Sequence, residues 1–120
     1  MKLSIINNWI KGGITSREMT SILDPYLETH LEKLTTKGIS SPIFLTEDIQ
    51  MSFEYSNFNF LCTSFLYGNI NELELSYISE LLLLAPSVSI KEEKVLEGLE
   101  YLCDLDIYGK FTKADVMNLL

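Results

Sequence analysis

The chain has 120 residues, 47% of them hydrophobic and 22% charged, and 17 acids against 9 bases give a formal net charge of -8. A mass of 13.7 kDa fits one domain, residues 1–120, and surface scaling gives roughly 6,600 Å² folded against about 20,000 Å² extended, so an unaided hydrophobic core is feasible. A pI near 4.5 opposes binding to nucleic acid or to an anionic membrane, because a phosphate-tracking surface needs Lys and Arg in excess.

The N-terminal stretch Met1–Trp9 is cut by Asn7 and Asn8 and is followed by no small-residue cleavage site, so neither a signal peptide nor an anchor is expected. Leu3, Ile6, Trp9 and Ile10 follow helical spacing, and Gly12-Gly13 supplies the permissive backbone that ends a helix. Thr15-Ser16-Arg17-Glu18 is a capping box, in which the hydroxyl of the first residue and the carboxylate of the fourth each satisfy the other's amide. From there Met19, Ile22, Leu23, Tyr26, Leu27, His30, Leu31 and Leu34 recur at helical spacing straight through Asp24-Pro25. Pro25 either kinks one helix or opens a second in nearly the same direction. Gly38 and Ser40-Ser41-Pro42 close the segment.

The middle of the chain supports two readings. Phe53, Tyr55, Phe58, Phe60 and Cys62 include alternating pairs that fit a β-hairpin in the 50–65 region, turning at Ser56-Asn57. Phe58, Leu61, Cys62, Phe65 and Leu66 match the helical template, with Glu47 and Asp48 suited to a first turn behind Thr46 and Gly68 to a helix end; the helical reading is preferred. Asn71 then caps a segment in which Leu73, Leu75, Tyr77, Ile78 and Leu81 to Ala85 leave little polar face, which places it at the centre of a bundle. Pro86 ends it. Ser89 is expected to open the last long helix, with Val95, Leu96, Leu99, Leu102 and Cys103 as its apolar stripe. Tyr108-Gly109 breaks that helix, and Thr112 with Asp115 starts a short C-terminal one. The longest apolar run, Leu81 to Ala85, is far below the ~20 residues that a bilayer crossing needs. The expectation is an all-α, compact bundle of five to seven helices, cytoplasmic, with Cys62 and Cys103 as buried reduced thiols.

Charge is distributed unevenly. Five bases and four acids precede Pro42, whereas four bases face thirteen acids from there on. Glu93, Glu97, Glu100 and Asp104 fall within about 60° on a helical wheel, away from the apolar stripe. Like charges at i, i+4 cost a few tenths of a kcal/mol per pair. Lys94 can reach Glu97 but cannot neutralise the row, and Tyr101 beside it adds an aromatic of the kind that anchors interfaces.

Catalytic signatures are lacking. His30, the single histidine, sits at an apolar spacing and is read as packed; no phosphate-cradling glycine loop and no His-Glu-x-x-His is present, so neither an enzyme nor a cofactor is expected. The stretch from Asp104 to Asp115 resembles the twelve-residue calcium loop of an EF-hand, with Asp104, Asp106, Gly109, Thr112 and Asp115 at matching positions. Tyr108 occupies a position that wants an oxygen ligand, Asp115 is shorter than the usual Glu, and no second loop exists to pair with it. Helix termination at Gly109 and capping by Thr112 explain most of the same residues.

In size, acidity and lack of catalytic residues the chain resembles the immunity proteins of bacterial toxin systems, including contact-dependent growth inhibition. That resemblance implies a monomer in a one-to-one complex with a basic cognate toxin, in which Glu93, Glu97, Glu100, Asp104 and Asp106 meet Lys and Arg while Tyr101 serves as an apolar anchor. An acidic surface both speeds encounter with a nuclease's positive cleft and competes there with phosphate. Two other readings stay open: an adaptor acting through the apolar 73–85 region, by self-association or by binding a partner helix, and a degenerate calcium module using Asp104, Asp106, Thr112 and Asp115.

Overall fold

The fold is that of a computed structural model, which describes residues 1–34, 45–103 and 111–120, the side chains of 29–34 excepted. Among the described residues there are six helices: α1 (Leu3–Ile10), α2 (Ser16–Leu34), α3 (Tyr55–Leu66), α4 (Glu72–Leu84), α5 (Glu93–Leu102) and α6 (Lys113–Met117). Two short strands, β1 (Met51–Ser52) before α3 and β2 (Val88–Ser89) after α4, complete the set. The all-helical expectation holds, with this one small ribbon added.

Local signals set most helix boundaries. Gly12, at φ +82°, follows α1, and Gly68, at φ +78°, follows α3, both in the left-handed region where only glycine is unstrained. Capping boxes open α2, α4 and α6. The Glu18 amide donates to Thr15 Oγ1 at 3.1 Å ahead of α2, the Glu74 amide to Asn71 Oδ1 at 2.8 Å in α4, and the Asp115 amide to Thr112 Oγ1 at 3.2 Å in α6. Helix α2 continues through Pro25 without a break. Pro25 and Ser21 both lie on its exposed side, where water can solvate the Ser21 carbonyl that the proline leaves without its helical donor.

Packing follows the apolar stripes. Leu3, Ile6 and Trp9 of α1, Met19, Leu23 and Leu27 of α2, and Phe58, Leu61 and Phe65 of α3 all turn into one core. Leu75, Ile78, Leu81 and Leu82 of α4 and Val95, Leu99 and Leu102 of α5 complete it. Helix α4 packs against α2, α3 and α5, the central position its sequence suggests. Trp9 meets Phe60 edge-on at 5.0 Å and Phe65 meets Phe111 at 5.5 Å, tying α1 and the approach to α6 onto α3. The buried hydroxyls of Ser64 and Ser79 donate back to the carbonyls of Phe60 and Leu75, and among the described residues no buried side-chain N or O lacks a partner.

The structure corrects the reading of the middle segment in three respects. Ser56 and Asn57 belong to the first turn of α3, so no hairpin turns there. The strand that does form lies just before, with Met51 buried and Ser52 exposed, and Phe53 after it is buried. Its partner is β2, in parallel, with Met51 opposite Val88 and Ser52 opposite Ser89. Glu47 and Asp48 do not open a helix either; they lie in a strap of extended chain that joins the N-terminus to the β ribbon. At one end of this strap the Leu3 amide donates to Thr46 O at 2.9 Å and the Thr46 amide to Met1 O at 2.8 Å. At the other, the Met51 and Phe53 amides donate to Ser87 O and Ser89 O. Ser89, finally, is a ladder residue rather than a cap, and α5 starts four residues later, after Glu92. The closing signals at Gly38 to Pro42 and the break at Tyr108-Gly109 lie outside the described residues.

Candidate functional site: the acidic face of helix α5

Helix α5 has two faces. Val95, Gly98, Leu99 and Leu102 are buried against the core, while Glu93, Glu97 and Glu100 are exposed and Tyr101 is half-buried at their edge. The amphipathic pattern of the sequence is therefore realised in space, and three of the acids predicted to form a row do so. Asp104 and Asp106, the other two residues assigned to this surface, lie outside the described residues.

Lys94 is the nearest base in sequence, and its ammonium is directed elsewhere. It donates to the Leu120 carbonyl at 3.4 Å and stands 5.2 Å from the centroid of the Tyr55 ring. Among the described residues, no hydrogen bond or ion pair engages the side chains of Glu93, Glu97 or Glu100. These carboxylates repel one another along the helix and are not compensated within it.

Three other acids, Asp48, Glu47 and Glu92, are put to different use. Asp48 caps α1 from 44 residues away, accepting from the Ser4 amide at 3.0 Å and the Ser4 hydroxyl at 2.5 Å. Glu47 accepts from the Ser87 amide and hydroxyl at 2.9 and 2.7 Å. Glu92 accepts from the Tyr55 amide at 3.1 Å, supporting the start of α3. The Ser87 hydroxyl and amide hold the Glu47 carboxyl below its ordinary range, and those of Ser4 do the same for Asp48. None of these roles has a local sequence signal, because each partner is 37 to 44 residues distant.

Of the calcium-loop residues, Thr112 and Asp115 are described, and both are committed to the capping box of α6: the Thr112 amide donates to Asp115 Oδ2 at 2.8 Å. The apolar 73–85 region is largely consumed in the core, with Leu84 its one strongly exposed apolar side chain. Cys62 is buried, and desolvation pushes its thiol up to about 12; Cys103 is half-buried and its Sγ donates to Glu100 O at 3.2 Å. The side chain of His30 lies outside the description. A cleft of about 320 Å³ opens over the outer face of the ribbon, lined by Gln50, Met51, Ser52, Ser87, Ser89 and Lys91. Its hydroxyls, amide and single ammonium are suited to hydrogen bonding.

No helix among the described residues is long and apolar enough to cross a membrane. Comparison of the chain with protein-family models, curated proteins and solved structures finds no match.

Proposed function

We propose that this chain is a non-catalytic cytoplasmic binding protein that neutralises a basic protein partner, as an immunity protein does by covering the active site of a cognate nuclease-type toxin. Helix α5 is the docking face, with Glu93, Glu97 and Glu100 meeting Lys and Arg and Tyr101 as the apolar anchor; Asp104 and Asp106, which follow in sequence, are the further acids of the partner-binding set. The observation that supports this reading is the row of three exposed carboxylates left without partners while Lys94, the one base within the helix, turns toward Leu120 and Tyr55. Three acids elsewhere, Glu47, Asp48 and Glu92, are by contrast engaged by the fold. A solvated row that repels itself gains from a cationic surface that relieves the repulsion on docking.

The test takes as its probe the C-terminal domain of any large secreted protein encoded in the neighbouring reading frame. Charge reversal by E97K with E100K should slow association by on the order of tenfold or more at low salt and remove most of its salt dependence. An unchanged association rate and affinity would rule out α5 as the docking face.

A further inference from the structure

The ribbon leaves one of its two edges open. The Met51 amide donates to Ser87 O at 3.0 Å and the Phe53 amide to Ser89 O at 2.9 Å, with Ser52 opposite Ser89 in the parallel register. Because successive residues of a strand alternate in the side to which they turn, the amide and carbonyl of Ser52, and those of Gln50 two residues before, face away from β2. Among the described residues no main-chain group bonds to them, and both residues are exposed. The far edge of β2 differs, since the Val88 amide is taken by Ala85 O at 3.0 Å. Beside the open edge lies the cleft of about 320 Å³. Ser52 on one strand, and Ser87, Ser89 and Lys91 at alternate positions on the other, share its lining. The Lys91 ammonium is the one charge there, and among the described residues nothing pairs with it. Glu92, next in sequence, is held by the Tyr55 amide, and Glu47 is held by Ser87.

We propose that the open edge of β1 takes an extended peptide segment as a third strand, with one of its carboxylate side chains seated in the cleft against Lys91. The Ser52 amide donates to a carbonyl of the segment and the Ser52 carbonyl accepts one of its amides, so the main chain supplies attachment while the cleft reads every second side chain. The hydroxyls of Ser52 and Ser89 and the Lys91 ammonium are donors that suit a carboxylate. A second copy of the chain fits this edge less well. Glu47, Asp48 and Glu54 flank β1, and pairing two such strands would set these like charges side by side. The site shares no residue with the acidic row of α5 and does not depend on its role.

The experiment titrates the full chain, followed by amide NMR, with a capped peptide Thr-Val-Glu-Val-Thr, with the same peptide carrying Gln or Lys at its centre, and with a fully N-methylated form. The Glu peptide should give saturable shifts centred on Gln50 to Ser52 and Ser87 to Lys91, with slowed exchange of the Ser52 amide. Replacing its Glu by Gln should weaken binding about two- to fivefold, as for an exposed ion pair. Binding should vanish for the N-methylated peptide, which cannot donate to the edge. K91E, an exposed substitution, should reverse the order of the Glu and Lys peptides. No saturable shift, shifts that survive N-methylation, or an order of peptides that K91E leaves unchanged would each overturn the proposal. So would light scattering at twice 13.7 kDa with the Ser52 amide already protected without peptide, because a second copy would then hold the edge.

Discussion

Cys62 shows how burial at one residue controls chemistry. Only a thiolate alkylates, and with the thiol pushed up to about 12 inside a closed core the reactive form is scarce and unreachable. Modification of Cys62 by iodoacetamide is expected only when the core opens, with a rate that rises in parallel with the unfolded fraction as urea is added. Fast modification in native buffer, on the timescale of a denatured control, would mean that this part of the core opens locally. Spacing within an apolar run was enough to anticipate that burial. The long-range work of Asp48 and Glu92 was not legible in the same way, since a carboxylate looks the same in sequence whether it faces water or caps a helix 44 or 37 residues away.

Between elements, the contact of α5 with α3 is set by a missing side chain. A Cβ on Gly98 would clash with the ring of Phe58, which is fully buried. Alanine in a helix interior normally gains about 1 kcal/mol over glycine, whereas overpacking a closed core costs about 1–3 kcal/mol. G98A should therefore be neutral to destabilising, by up to about 2 kcal/mol in urea unfolding, and a clear gain in stability would show that the helices can move apart without penalty. Elements whose signals span only a few residues were readable from the sequence: the boxes at Thr15, Asn71 and Thr112, the glycines after α1 and α3, and the two faces of α5. The ribbon was not, because two-residue strands are too short to establish a period and Met51 finds Val88 only after α3 and α4 have intervened. Ser89 resembled a helix cap for a similar reason, since a serine before a charged apolar stretch suits either role. The row on α5 was legible as a surface, while the partner that would give it meaning is encoded elsewhere.

Across the whole molecule the acids act in opposing directions. Glu47 and Asp48 hold carboxyls below their ordinary values of 4.5 and 3.8, so their contribution is present above those values and lost as pH falls through the lower folded ones. The double variant E47Q/D48N should be less stable than the parent at neutral pH and converge with it toward about pH 2, as followed by circular dichroism. Parallel acid limbs would show that these carboxylates do not tie the strap down. Glu74 has the opposite sign: burial raises its carboxyl, so its contribution is lost as pH rises. The strap has a further consequence, in time rather than in energy. Helical bundles ordinarily fold fast because their contacts are local, but here Thr46 must find Met1 and Leu3, Asp48 must find Ser4, and Met51 must find Ser87. Each of these closures spans tens of residues and has to wait for loop ends to meet. A fold built mostly of helices is thereby given part of the slower assembly, and of the dependence on order of assembly, that are usual for proteins built from sheets.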